Sequence, residues 1–186
     1  ESPTILLDNL SSCTNIVHEK TSGNAEHSID SSCCNYYNFL LFFLSTASQN
    51  VAFSTTLCGS SDPWGAVGPF PSDHTLVYKR VFMNIGQGYD PATGIFKAPV
   101  SGVYSFNFHI YGYSTTAAGV SLFKNDERIA TAYDHPSKDS TDTASNSALL
   151  QLGVGDTVSI RLWADHVIYK STNNHNTFSG FLVFPV

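Results

Sequence analysis

From Val51 onward, large apolar side chains alternate with polar ones along short segments of the chain. Segment 103–110 places its large residues on one face: Tyr104, Phe106, Phe108 and Ile110. Its other face carries Ser105, Asn107 and His109, and Val158, Ile160 and Leu162 alternate in the same way. A period of two predicts half-buried strands. Turn residues such as Asp90-Pro91 and Gly155-Asp156 separate these segments, and this spacing predicts an all-β sandwich or jelly roll.

The final segment, Thr177–Phe184, breaks this alternation because both of its faces are apolar. Strict alternation would put Phe178, Leu182 and Phe184 on one face, and Phe181 and Val183 on the other. Strands that are apolar on both faces are covered on both sides. We expect the sandwich core to cover one face, and the amino-terminal segment or a neighbouring subunit to cover the other.

Residues 1–50 show neither the strand period nor the helix period, and they hold three of the four cysteines. They contain no Gly-X-Y repeat, which excludes a collagen stalk. We therefore predict two parts: an amino-terminal oligomerisation arm over residues 1–50 and a globular domain over residues 51–186.

Charge and hydropathy exclude two kinds of partner. The net charge is −6 and charged residues make up 13% of the chain, so a nucleic acid, which needs a positive surface, is not expected. The apolar run Phe39–Leu44 is far shorter than the roughly 20 residues that a bilayer crossing needs. We expect no membrane span.

The cysteines Cys13, Cys33, Cys34 and Cys58 lack the paired spacing of a zinc site. Adjacent Cys33 and Cys34 cannot easily bridge each other, so separate partners, within the chain or between subunits, are favoured. Disulfides would indicate an oxidising, extracellular compartment; the alternative is four reduced, buried thiols. Glu1 follows no signal peptide, as in a processed mature chain, and Asn9 heads the one glycosylation sequon.

Several segments together resemble the signature of the C1q globular domain. They are NIGQGYDPATGIF (84–96), APVSGVYSF (98–106), VSLFKN (120–125), ASNSALL (144–150), Gly155-Asp156 and TFSGFL (177–182). The resemblance runs through residues 51–186, and its final residues are most similar to the cerebellin branch. It implies a ten-stranded jelly-roll sandwich of the C1q and tumour-necrosis-factor type, assembled as a homotrimer.

The resemblance also implies a calcium site. Several members of the family bind calcium near the trimer axis with two aspartates eight positions apart, which Asp134 and Asp142 match. Oxygen ligands from three copies would suit Ca²⁺. The alternative is a solvated acidic loop that also contains Asp139 and is partly neutralised by Lys138. No organic cofactor is expected.

Catalysis is not predicted. The seven histidines form no H-x-H or H-x-x-x-H pair, and no G-x-S-x-G elbow occurs. We interpret the histidines as surface residues and the protein as a non-enzyme.

Three long connections are candidates for binding: Ser60–Asp73, Tyr111–Ala118 and Trp163–Lys170. Tyr111, Tyr113 and Tyr169 are candidate contact residues, since aromatic rings give a large contact area at a low entropy cost. The alternative is packing against the ends of the sandwich.

The family resemblance implies a secreted, extracellular recognition protein that binds a protein receptor or a cell-surface glycan. Its role would be that of an innate-immune lectin or of a cerebellin-like organiser. The alternative is a structural component of an extracellular matrix or assembly, linked through its C1q domain and its amino-terminal cysteines.

Overall fold

The computed structural model describes residues 50–186 except residues 60, 114, 137, 139 and 140. These residues belong to a compact unit that runs from Gln49 to Val186. Apart from Asn50, the predicted arm of residues 1–50 lies outside the described residues. Among the described residues, no helix has the length and hydropathy that a membrane crossing needs.

The described residues form thirteen strands and no helix. The strands are β1 (Ala52–Thr56), β2 (Gly65–Val67), β3 (His74–Thr75), β4 (Arg80–Ile85), β5 (Tyr89–Asp90), β6 (Ile95–Lys97), β7 (Gly102–Tyr113), β8 (Ala118–Lys124), β9 (Glu127–Asp134), β10 (Thr141–Leu152), β11 (Thr157–Leu162), β12 (Ile168–Lys170) and β13 (Thr177–Pro185).

Two antiparallel sheets make the sandwich. The front sheet has the order β10-β7-β13-β1-β4, and the back sheet has the order β5-β6-β11-β8-β9 with β3 paired to β11. The main paths therefore carry five strands each, which agrees with the predicted ten-stranded jelly roll. A separate two-stranded ladder joins β12 to β2, and the sequence alone did not indicate it.

The interior is filled mainly by aromatic side chains from both sheets. The predicted alternation of β7 is confirmed: Tyr104, Phe106, Phe108 and Ile110 are fully buried. Phe53 of β1 lies at the centre of this layer, with its ring centroid 5.1 Å from those of Tyr89 and Phe96. Stacked and edge-on rings of this kind contribute packing energy beyond their buried area.

The last strand differs from its predicted pattern at one residue. Phe178 is buried and Leu182 packs on the core, as expected. Phe184 was expected on the same face but is half exposed, because the pairing register with β7 shifts between Leu182 and Phe184. A β-bulge inserts one residue and thereby reverses the face of those that follow.

The outer face of the back sheet is covered by side chains of the sheet itself. Trp163 follows β11, and its indole N–H donates a 2.8 Å hydrogen bond to the Oγ of buried Ser121. The Tyr133 ring lies 5.3 Å from the Trp163 ring, and the Arg128 guanidinium lies 5.2 Å from it on another side. Gly119 of β8 leaves the space that these rings occupy: a Cβ there would lie 2.9 Å from Trp163.

Candidate functional site

Three aromatic rings, two of them exposed and one half buried, lie in a row at the end of the sandwich where β7 ends and β13 begins. The Trp64 ring stacks on Tyr169, with centroids 5.6 Å apart and an interplanar angle of 29°. The Tyr113 ring, at the end of β7, lies 5.4 Å from the Tyr169 ring and is tilted by 49° to it. The Trp64 side chain is nevertheless 60% exposed. We call Trp64, Tyr169 and Tyr113 the aromatic shelf.

The β2–β12 ladder brings two of the predicted loops together. Ala66 pairs with Tyr169 and Gly65 with Lys170, so segment 60–73 and segment 163–170 become neighbours. Successive side chains of a strand point to opposite faces, which directs Tyr169 and Lys170 to opposite sides of the ladder. Tyr169 supports Trp64, and Lys170 braces the ladder from the other side.

An ion pair makes this brace. The Lys170 Nζ lies 2.8 Å from Asp62 Oδ2, and both side chains are largely buried. The hydrogen bond from Lys170 lowers the pKa of the Asp62 carboxyl, and the backbone N–H of Gly59 lowers it further. A carboxylate with a lowered pKa stays charged in mildly acidic solution, so the brace persists there.

The side chain of Asn176 connects the strands that carry Tyr111 and Tyr169 by hydrogen bonds. Its Oδ1 accepts a 2.9 Å hydrogen bond from the Tyr111 backbone N–H, and its Nδ2 donates a 2.7 Å bond to the Tyr169 carbonyl. Its own carbonyl accepts bonds from the Thr56 hydroxyl and the Leu57 N–H. The side chain is buried. Through its side-chain amide and its backbone carbonyl, this one residue connects β7, β12 and the end of β1.

The predicted contact residues separate into two groups. Tyr113 and Tyr169 lie together in the shelf, whereas Tyr111 stacks on His175 with ring centroids 4.5 Å apart. Phe70, which lies in the first predicted loop, packs on His74. Sequence reasoning placed Trp64 within a candidate loop but did not single it out. It missed Asn176 altogether, since nothing in the local sequence marks a buried bridging amide.

A second exposed surface covers the outer face of the front sheet. Register places Leu149, Ser105, Phe181, Ala52 and Ile85 side by side across all five strands. The large residues exposed on or beside this row are Phe82, Met83, Ile85, Leu149, Phe181, Val183 and Phe184. We call these seven residues the apolar strip. The expectation that the outer face of the last strand is apolar is met by Phe181 and Val183.

The two predicted calcium ligands lie close to one glycine. Asp142 pairs with Gly112 of β7, and a Cβ on Gly112 would lie 3.1 Å from Asp134 Oδ2. The residues described contain no group of three or more His, Cys, Asp or Glu side chains that could hold a metal. Asp134 and Asp142 of one copy would supply only part of the oxygen ligands that Ca²⁺ takes, and the others would have to come from other copies. Asp139 lies outside the described residues, and calcium binding stays a prediction.

The remaining predicted positions lie mostly in the amino-terminal segment. Cys13, Cys33, Cys34 and Asn9 fall outside the described residues. Cys58 is buried and forms no disulfide within the described part of the chain, and its Sγ lies 3.8 Å from the Asp62 carbonyl. Disulfide bonding and glycosylation therefore stay predictions.

The histidines of the described domain are surface or half-buried residues. His74, His109, His135 and His175 are exposed, and His166 is half buried. His109 Nδ1 lies 3.0 Å from the Thr177 hydroxyl, and His166 Nδ1 lies 2.7 Å from the Ala164 carbonyl. His135 packs edge-on against Tyr133. These contacts agree with the prediction of surface histidines.

Solved structures share this fold. The globular domain of zebrafish complement 1qA protein is 22% identical, with 73% of this chain and 99% of that chain covered and a TM-score of 0.56. Murine APRIL (10% identical, 72% and 99% covered, TM-score 0.54) and Eiger TNF from S. frugiperda (15% identical, 74% and 95% covered, TM-score 0.57) also match. At these identities the matches establish the jelly-roll fold alone.

The family follows from the sequence match. The C1q domain matches residues 66–183, which is more than half of the chain. The match includes Tyr113 and Tyr169 of the aromatic shelf but not Trp64, and it includes most of the apolar strip. The fold and the matched segment agree with the resemblance found in the sequence, and the chain belongs to the C1q domain family.

Proposed function

We propose that this chain is a secreted, non-enzymatic recognition protein that assembles as a homotrimer and binds a protein receptor or a cell-surface glycan through its aromatic shelf. The observation that carries the proposal is the exposure of Trp64 on a rigid support. Trp64 and Tyr113 are exposed and Tyr169 is half buried, and a buried amide and an ion pair hold the strands beneath them. Because the rings are ordered before binding, little entropy is lost when a ligand covers them.

Assembly accounts for the apolar strip. Large contiguous apolar patches on soluble proteins mark interaction surfaces. In a closed ring of three copies, the strip of one subunit would meet a different surface of the next. The strip and the shelf lie about eight residues apart along β7, which is roughly 25 Å. Trimerisation would therefore leave the shelf accessible.

The proposed site is tested with a shelf variant on the intact chain. Trp64→Ala should weaken the binding of the purified protein to cells of its source tissue at least tenfold, since buried aromatic anchors dominate most interfaces. Val154→Ala is the matched control, because Val154 is equally exposed but lies in a turn at the opposite end of the sandwich. Equal binding by the wild type and Trp64→Ala would exclude the shelf as the recognition site.

The structural alternative gives a different result. A matrix component linked through its cysteines should form large, reductant-sensitive polymers and should show no saturable binding to cells. Non-reducing gel electrophoresis and a cell-binding titration with the same preparation separate the two functions.

Calcium binding is part of the proposal, with Asp134 and Asp142 from each copy as ligands near a common axis. A cation that binds only the native assembly raises its stability by mass action. The melting temperature should be higher in millimolar calcium than in chelator, and Asp142→Asn should remove the difference. Identical melting of the wild type in the two conditions would contradict the site.

A further inference from the structure

We infer that the ligand of the aromatic shelf is a neutral glycan whose pyranose ring lies flat on Trp64. This inference rests on the proposed recognition function and narrows it to one class of ligand. It follows from the arrangement of the three rings, from the hydrogen-bonding groups at their edges and from the charge of the protein.

The ring arrangement leaves one broad aromatic face open. Tyr169 covers one face of Trp64, and the indole is still 60% exposed, so its other face meets solvent. Tyr113 is 36% exposed at the other end of the row. A ligand that is itself flat can lie on such a surface and displace water from the open face.

The same arrangement disfavours two other ligands of aromatic sites. A proline-rich peptide docks in grooves between aromatic side chains, and a quaternary ammonium group needs rings that surround it. Here the rings contact each other, with centroids 5.6 Å and 5.4 Å apart. Neither a slot nor a cage remains between them. A flat ligand is the one that this row accommodates.

Polar groups at the ring edges distinguish a sugar from a purely apolar ligand. Within the described residues, the indole N–H of Trp64 and the hydroxyls of Tyr113 and Tyr169 take part in no hydrogen bond. These groups can donate to a ligand, and the hydroxyls can also accept. A pyranose ring presents C–H groups on its face and hydroxyls around its edge. It would therefore cover the apolar rings while its hydroxyls bond to these three groups.

Charge selects neutral glycans over acidic ones. The chain carries a net charge of −6, and the one cation of the β2–β12 ladder, Lys170, is paired with Asp62. A sulfated or carboxylated sugar would find no free positive group among the described residues of this ladder. A nucleobase could also stack on an indole, but the negative charge of the protein opposes a phosphate backbone.

The test is a binding titration of the full chain with soluble hexasaccharides of glucose, mannose and N-acetylglucosamine, followed by tryptophan fluorescence and by calorimetry. At least one hexasaccharide should bind saturably. Trp64→Ala should weaken that binding at least tenfold. Trp64→Phe should be intermediate, because a phenyl ring retains the stacking face but lacks the N–H. Val154→Ala should bind as the wild type does. Equal melting temperatures and masses establish that the variants are folded and assembled.

The outcomes separate this inference from the proposed function. Cell binding that depends on Trp64 but is insensitive to glycosidase treatment, with no saturable hexasaccharide, would overturn the glycan inference and leave the recognition function standing. Binding of heparin or hyaluronate alone would also overturn it. Saturable binding that is equally strong in Trp64→Ala would place the sugar elsewhere and overturn the assignment to the shelf. Cell binding unaffected by Trp64→Ala would overturn the proposed function itself.

Discussion

The outer faces of the two sheets both carry large apolar side chains. Those of the back sheet are covered by neighbouring side chains, whereas those of the front sheet are exposed. On the back sheet, Phe123 is buried beneath the guanidinium groups of Arg128 and Arg161, and Trp163 lies across Ser121 and Gly119. On the front sheet, Phe181 and Ile85 are about half exposed, and nothing within the described residues covers them.

This difference is the basis on which we propose the front sheet as the contact between subunits. An apolar sheet surface gains free energy when water leaves it. The back sheet obtains this gain from its own chain, through the rings and cations that seal it. Among the described residues, the front sheet does not obtain this gain, which is why our proposal assigns assembly to the front and intrachain stability to the back.

The largest expected effect comes from a charge in the apolar strip. Phe181→Asp should convert the assembly to monomers, because an uncompensated carboxylate in an interface costs about 3–5 kcal/mol, or more than a hundredfold in the dissociation constant. Light scattering after size exclusion should give about three times 20.2 kDa for the wild type and 20.2 kDa for the variant.

Val154→Asp is the control for this experiment, since Val154 is as exposed as the strip residues but lies in a turn outside it. It should retain the mass of the wild type. A wild type that is monomeric at micromolar concentration would refute the assembly through the strip.

On the outer face of the back sheet, Trp163, Tyr133 and Arg128 form a cover that we call the seal. A substitution there should lower stability without changing the assembly. Trp163→Ala removes the central ring of the seal, and loss of a large, partly buried aromatic side chain should lower the free energy of unfolding by about 2–4 kcal/mol. Its mass by light scattering should not change. Trp163→Phe should lose only about 1 kcal/mol, mainly the hydrogen bond to Ser121. Dissociation of the assembly by Trp163→Ala would show that the back sheet also takes part in contacts between subunits.

A smaller change tests how tightly the seal fits. A Cβ at Gly119 would lie 2.9 Å from Trp163 and 3.0 Å from Tyr133, so Gly119→Ala should lower the free energy of unfolding by about 1–3 kcal/mol. Gly153→Ala is the matched control, because its Cβ would meet its nearest neighbour at 3.9 Å. Chemical denaturation of the two variants measures the difference. Equal stability would mean that the rings can move aside.

The smallest expected effect belongs to the interior that both sheets share. The Tyr89 hydroxyl donates to the Tyr78 carbonyl and accepts from the Tyr78 N–H, so Tyr89→Phe should lower the free energy of unfolding by about 1–2 kcal/mol. The Tyr78 hydroxyl is buried without a partner among the described residues, and Tyr78→Phe should be neutral or stabilising. Neither variant should change the mass. A large loss from Tyr78→Phe would indicate a bond that this structure lacks.

The same tyrosines give the domain an alkaline limit. Burial raises the pKa of Tyr89 to about 12 and that of Tyr78 further. In the unfolded chain both ionise near pH 10, so unfolding releases protons and the stability falls as the pH rises from 10 toward 12. Ultraviolet absorbance should show these two groups ionising together with unfolding. Separate, reversible titration near pH 10 in the folded protein would contradict their burial.

The sequence predicted the parts of the fold that depend on local alternation. The period of β7 identified its buried and exposed faces. The two apolar faces of β13 predicted a second surface, to be covered by the amino-terminal segment or by a neighbouring subunit. The position of Phe184 could not be predicted in this way, because a bulge depends on the pairing of β13 with β7 and leaves no mark in the local pattern.

The aromatic shelf, too, was only partly predictable from the sequence. The sequence indicated three candidate binding loops and two of the three residues of the shelf, Tyr113 and Tyr169. It did not indicate that Trp64 stacks on Tyr169, because the short β2–β12 ladder joins segments about a hundred residues apart in the chain. The Asp62–Lys170 ion pair and the hydrogen bond between Asn176 and the Tyr111 backbone likewise join residues that are distant along the chain.

By itself, the sequence determined the all-β class, the family and the apolar surface in excess of one core, since these follow from side-chain period and composition. Only the tertiary structure decided which apolar surface is covered and which is exposed among the described residues. The local pattern shows which residues are apolar. Whether other side chains cover them depends on the register between strands that are distant along the chain. We therefore propose a partner for the front sheet from the exposure of its side chains in the fold rather than from the local pattern.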